Sequence, residues 1–142
     1  PILIGGRGES AIRRTARYGD GWLGIFCTPR RFTETRTAIL DAAAKEDRAP
    51  DSFGVNVWCG LDKDAAVADR LVGEKMHALY QLPRDKFRHL APAGTPEQVA
   101  EWLNSFVEAG ADNITLVPAT ASMEAAIEHA ASVRTLLLTH HS

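Results

Sequence analysis

Four short apolar runs, ILI at 2–4, WLGIF at 22–26, FGVNVWCGL at 53–61 and NITLV at 113–117, alternate with stretches that carry apolar residues at helical spacing. That alternation limits the fold more than any single motif does. Strands this apolar are buried on both faces, and strands that alternate with helices are joined by crossovers. The pattern therefore predicts an α/β chain with a parallel sheet, covering helices and right-handed connections. With 142 residues, 45% hydrophobic and 24% charged, the chain is long enough for one domain over 1–142.

Local signals place the elements. A strand over 2–4 and a turn over 5–8 lead into a helix over 9–18, with Ala11, Ile12, Thr15, Ala16 and Tyr18 on one side and Arg13, Arg14 and Arg17 on the other. Gly19 is expected to close that helix as a left-handed cap. After a turn at Asp20-Gly21 and the second strand, Thr28-Pro29 reads as an N-cap with proline at the first helical position. The helix that follows is expected to bury Phe32, Ile39 and Ala43 and to pair Asp41 with Lys45.

In the third strand Val55, Val57 and Cys59 face one way and Asn56, Trp58 and Gly60 the other. Asp62 or Asp64 caps a helix that buries Ala68, Val72, Met76 and Leu79, and residues 80–94 show no period. A loop that long is more often functional than accidental. Thr95-Pro96-Glu97-Gln98 forms a capping box before Val99, Trp102, Leu103, Phe106 and Val107, and Gly110 stops the helix. The fourth strand, 113–117, ends at Pro118; Ser122 caps a last helix with Ile127, Ala130, Val133 and Leu137 inward, before a frayed tail over 140–142.

Composition closes several classes. A formal net charge of −2 with dispersed arginines gives no push toward nucleic acid, and no apolar run approaches a membrane span. A soluble, intracellular protein is expected. Cys27 and Cys59 lack CxxC spacing and read as buried free thiols. Because Pro1 stands where Met would, directly before a strand, processing or a partial reading frame is expected.

Ligands of parallel α/β folds sit at the carboxyl ends of the strands, here 5–10, 27–28, 60–64 and 118–122. In GGRGES, Gly5, Gly6 and Gly8 let the backbone approach a ligand, and the helix that follows presents its amides, so a phosphate fits; a ligand-free turn is the plain alternative. A P-loop lacks its lysine here. Gly6, Gly8 and Ala11 do spell GxGxxA, with Arg30-Arg31 able to serve an NADP 2′-phosphate in a Rossmann-like domain, yet Thr28-Pro29 puts both arginines in the first turn of a helix. Glu74 and His77 make one ExxH, a helix surface rather than a metal site. Asp20 and Asp112 are turn residues at the opposite pole. Trp22 and Trp102 read as core, whereas Trp58, beside Asn56 and Gly60, has a ligand-facing alternative.

ILIGG with AIRRTARYGDGWL, and GTPEQVAEWLNSFVEAGADNITLVP near the end, resemble the carboxyl-terminal half of the bacterial luciferase-like flavin-dependent oxidoreductases, a superfamily of flavin monooxygenases and deazaflavin-dependent dehydrogenases and reductases. The resemblance implies an eight-stranded TIM-type parallel β/α barrel about twice this length, of which the chain holds the fifth to eighth strand–helix units. It implies FMN or a deazaflavin coenzyme, a small organic substrate and a homo-oligomer. The cofactor phosphate falls on Gly5, Gly6 and Arg7, and extends to Gly8, Glu9 and Ser10. Relatives carry a small residue or proline at the place of Glu9, so only its backbone N–H is expected to face the phosphate. Tyr80, Gln81 and Phe87 fall on the substrate side. Acid–base residues of relatives lie in the amino-terminal half, so no catalytic residue is assigned and the chain alone is expected to be inactive. A non-catalytic half-barrel that binds a phosphorylated ligand or assembles with another half is the alternative.

Overall fold

The computed structural model of the protein describes residues 1–141. Its elements are β1 (Leu3–Gly5), α1 (Glu9–Tyr18), β2 (Gly21–Ile25), α2 (Pro29–Ala44), β3 (Ser52–Leu61), α3 (Ala65–Tyr80), a 3-10 turn (Arg84–Lys86), β4 (Ala93–Gly94), α4 (Pro96–Glu108), β5 (Asn113–Ala119) and α5 (Met123–His140). The sheet runs β1-β2-β3-β4, and β5 also pairs with β3. The ladders among β1 to β4 are parallel. The parallel α/β arrangement expected from the alternation is therefore the one observed. It has a fifth strand, because the irregular stretch 80–94 contains the 3-10 turn and the two-residue β4.

The chain divides into two compact units. The first, Pro1–Asn56 with Phe106–Thr115, holds β1, α1, β2 and α2. Trp22 of β2 lies against Phe32 of α2 with ring centroids 5.5 Å apart, and Phe32 meets Phe106 edge-on at 6.0 Å. Phe32, Ile39, Phe53, Val55 and Phe106 are fully buried, each stabilising by about 1.5–3 kcal/mol. Thr28 caps α2 as its sequence predicts, accepting the Arg31 N–H at 3.1 Å.

Gly19 is not the left-handed cap expected of it: its backbone is extended (φ −88, ψ 153). The last carbonyls of α1 are met instead by Arg48, whose guanidinium donates to the carbonyls of Thr15 (3.3 Å), Ala16 (2.8 Å) and Gly19 (2.9 Å). A cation at a helix carboxyl end is favoured by the dipole, so a glycine in positive φ is not needed there. Tyr18, expected inward, is exposed and lies under the Arg17 guanidinium. On α2 the ion pair is Arg30–Glu34 at 2.9 Å; none joins Asp41 to Lys45, which stands past the helix end as its C-cap. Asp20 and Asp112 do more than turn the chain. Asp20 accepts the Ile2 N–H at 2.6 Å and Asp112 the Phe53 N–H at 2.8 Å, each fixing the entry to a strand.

The second unit, Val57–Ser105 with the chain from Leu116 on, is built around α3, α4 and α5. After β3 the chain does not cross over at once. It makes α3 and the 3-10 turn, returns to lay β4 beside the carboxyl end of β3 (Gly60↔Ala93, Leu61↔Gly94), and only then enters α4. Arg84 ties this excursion down, with its Nε 3.0 Å from Asp69 and its Nη1 donating to the Ala91 carbonyl at 2.8 Å; Arg88 reaches the same carboxylate at 2.6 Å.

Asp64 caps α3, Ser122 caps α5, and the Thr95–Gln98 capping box forms in both directions. Leu79, expected in the core, is 55% exposed; α3 buries Ala68, Val72 and Met76. Ile127 is likewise exposed, because α5 turns His129 and Val133 inward; Ala130 and Leu137 are half-buried. Trp102 and Val107 of α4 are also half-buried. Pro118 does not end β5, which runs to Ala119. A proline is tolerated in an outer strand where its missing N–H breaks no ladder.

Candidate functional site

In the first unit the carboxyl end of β1 opens into the glycine loop. Gly6 (φ 119) and Gly8 (φ 85) hold positive φ, a region that side chains disfavour. Gly8 is the N-cap of α1 with no side chain satisfying the first turn, which leaves the amino end of this helix to whatever meets it. A Cβ built on Gly5 or Gly8 would meet nothing within 4 Å, whereas one on Gly6 would press on Ala11 at 3.3 Å. Trp22 fixes the loop from beneath, its indole N–H donating to the Gly6 carbonyl at 3.0 Å. That bond engages the Gly6 carbonyl, and no sequence signal foretold it.

Charge around the loop is cationic. Arg7 and Ser10 are exposed, and Arg14 lies 3.6 Å from where a Gly6 side chain would be. Glu9 turns along the helix surface, its carboxylate 3.7 Å from Arg13. At the end of β2, burial pushes the Cys27 thiol up, and the Arg7 and Arg31 guanidinium groups, with the residue's own backbone N–H, offset part of that rise. Arg30 and Arg31 sit in the first turn of α2 as expected, and Arg30 is engaged with Glu34.

In the second unit Trp58 and Tyr80 meet edge to face with ring centroids 6.2 Å apart. Trp58 is half-buried and Tyr80 43% exposed. The end of α3 is thus folded onto β3 near its carboxyl end. Gln81, in left-handed conformation as the C-cap of α3, is exposed. Phe87 does not face solvent: it is 3% exposed and its ring lies under the Arg84 guanidinium. An open groove of about 660 Å³ lies at the carboxyl end of β5, lined by Pro118, Thr120, Ser122, Leu71 and Met123.

Cys59 is fully buried, and burial pushes its thiol up to about 12. Glu74 and His77 are exposed on α3, and Glu74 pairs with Arg70. Among the described residues no group of three His, Cys, Asp or Glu is placed to hold a metal ion, and no helix is long and apolar enough to cross a membrane. One polar atom that sequence reasoning passed over is the Oδ1 of Asn56 in β3, buried without a hydrogen-bond partner.

No protein-family model matches the chain, and no curated protein does. Solved structures match it over nearly its whole length. An F420-dependent secondary alcohol dehydrogenase, in complex with an F420–acetone adduct, superposes with a TM-score of 0.83 over 96% of this chain and 48% of its own, at 15% identity. A monooxygenase from Streptomyces bottropensis does so at 0.73, over 99% and 48%, with 21% identity. A riboflavin lyase, with modified FMN and substrate riboflavin, does so at 0.73, over 98% and 43%, with 16% identity. These likenesses show the fold, the parallel β/α arrangement expected from the sequence. The chain spans about half the length of the structures it matches.

Proposed function

We propose that the chain supplies the carboxyl-terminal half of a luciferase-like oxidoreductase barrel, and that its glycine loop holds the phosphate of an FMN or deazaflavin cofactor. The observation that carries this reading is the loop itself. At the carboxyl end of a parallel strand, two glycines in positive φ precede an uncapped helix start, the space beside Gly5 and Gly8 is open, and Arg7 stands at its edge. A phosphate there meets backbone N–H groups, the positive end of the α1 dipole and a guanidinium.

The residues present fit the group. Glu9, the one anion in the loop, is drawn along the helix toward Arg13, leaving only its backbone to face inward. The Gly6 carbonyl, which would repel a phosphate, is held by Trp22. Gly5, Gly6, Arg7, Gly8 and Ser10 would hold the phosphate. The bound cofactor supplies the hydride or oxygen chemistry, and the protein binds and orients it.

The excursion after β3 stands at the substrate side, with Trp58 and Tyr80 as the side chains that meet an organic substrate and Gln81 at its rim; the buried Phe87 supports the excursion from within. Catalytic groups come from the other half of the barrel, so the chain alone turns over no substrate. Binding of FMN compared with riboflavin, which differs by the phosphate, tests the loop. FMN retained by the protein and riboflavin not retained is the expected result; equal retention of the two overturns the phosphate assignment.

A further inference from the structure

Among the described residues the Gly6 carbonyl has one donor, the indole N–H of Trp22 at 3.0 Å. The strands set the path between them. Trp22 pairs with Ile4 in the β1–β2 ladder, two residues short of Gly6, so its ring lies along β2 toward the carboxyl end to reach the loop. Gly24 leaves that lane open: a Cβ there would stand 2.7 Å from Cη2 and 3.1 Å from Cζ3 of the Trp22 ring. Phe32 of α2 packs on the ring at 5.5 Å between centroids, and Trp22 is 2% exposed. The β2 and α2 core is thus shaped to hold one hydrogen bond to the loop.

That bond also orients the next amide. The Gly6–Arg7 peptide is planar and trans, so its carbonyl and its N–H point in opposite directions. With the carbonyl held on Trp22, the Arg7 N–H is directed away from the buried indole, and among the described residues no acceptor meets it.

We infer that Trp22 is a positioning residue for anion binding, its indole N–H setting the Gly6–Arg7 peptide so that the Arg7 N–H, and not the Gly6 carbonyl, is presented to the phosphate. This inference rests on the phosphate reading of the loop and adds the residue that orients one of its donors. The orientation matters because an N–H attracts the anion and a carbonyl repels it. Glycine at 6 resists rotation of that peptide weakly, so the constraint has to come from outside the loop. An indole suits the task because it donates and does not accept: it can hold the carbonyl toward itself, and it cannot hold the reversed peptide.

Replacing Trp22 by benzothienylalanine, which keeps the ring shape and has sulfur in place of the N–H, tests this with inorganic phosphate and FMN as probes. In the wild-type chain the Arg7 amide signal is expected to move on addition of either. In the substituted chain the far-ultraviolet circular dichroism should be unchanged, the ligand-free Arg7 signal displaced, and phosphate and FMN affinity about tenfold weaker, as loss of one hydrogen bond to a charged group gives. Riboflavin binding should be the same in both chains, a difference from FMN that general loosening of the fold would not produce. Gly24→Ala, which drives a methyl into the Trp22 ring and displaces the indole, should weaken phosphate binding likewise and serves should the isostere fail to fold. Ile39→Val, which thins the α2 core and leaves Trp22 and Gly24 in place, should lower stability and leave phosphate affinity unchanged. Wild-type phosphate affinity in the substituted chain, a ligand-free Arg7 signal that stays in place, or equal losses for FMN and riboflavin overturns the Trp22 assignment alone. A wild-type Arg7 amide that ignores phosphate and FMN alike overturns the phosphate reading with it.

Discussion

The connection from β1 to β2 and the connection from β3 to β5 start from the same kind of strand and end differently. The first runs from Gly5 through the glycine loop directly into α1, leaving the carboxyl end of β1 open. The second inserts α3, the 3-10 turn and β4 before the crossover helix α4 begins, so the carboxyl end of β3 carries a structure of its own. On the proposed reading, the difference separates two tasks on one scaffold. A bare loop on a helix start suits a small anion, and an inserted segment pinned by side chains suits recognition of a bulkier group.

Removing the pins should separate these regions in order of size. Arg48→Ala deletes three hydrogen bonds at the end of α1 and is expected to cost about 2–3 kcal/mol in urea unfolding. Arg84→Ala is expected to act locally, at about 1–2 kcal/mol, by freeing the excursion from its bonds to Asp69 and Ala91. Hydrogen exchange should then quicken by roughly tenfold over residues 82–92 and leave α1 unchanged. An equal response in both regions would break the comparison.

The two thiols sharpen it further. Arginines offset the effect of burial at Cys27, whereas at Cys59 burial acts unopposed, so a thiol reagent near pH 8 should modify Cys27 first. The Cys59 pKa is raised by folding, from 9.0 to about 12. Its stabilising contribution is therefore full below pH 9 and is lost as pH rises toward 12. Unfolding of Cys59→Val across that range should show a shallower decline than wild type.

The smallest effect expected is at Glu97, whose own backbone N–H and the Thr95 hydroxyl hold its fully exposed carboxyl below the usual range. Its contribution is present above the ordinary carboxylate pKa and fades as pH falls through the lowered one. Glu97→Gln should leave stability at neutral pH nearly unchanged and slightly flatten the acid limb of an unfolding curve.

The helix starts were legible because their signals are local. Thr28, Asp64, Thr95 and Ser122 each announce a helix start within three residues, and all four caps form. What was missed depends on distance along the chain. Arg48 caps a helix that ended thirty residues earlier, so no window around Gly19 could show it. The two residues of β4 carry no period, and their pairing is set by the return of the excursion to β3. In α5 the apolar residues Ile127, Ala130, Val133, Leu136, Leu137 and Leu138 surround the helix, so the sequence allows more than one inward face. The structure selects the one with His129 and Val133. At the site, the glycines and Arg7 could be read directly, while the Trp22 bond to Gly6 and the burial of Phe87 required tertiary packing.

The central claim, that the loop after β1 is built for a phosphate, is tested most directly by amide chemical shifts. Titration with FMN or inorganic phosphate should move the N–H signals of Gly6, Gly8, Glu9 and Ser10, and riboflavin should not. In Gly5→Val, at a position where a Cβ meets nothing within 4 Å, the fold should persist and those shifts should shrink. Loop signals that stay fixed under FMN and phosphate, or that move as strongly in Gly5→Val as in wild type, would contradict the account.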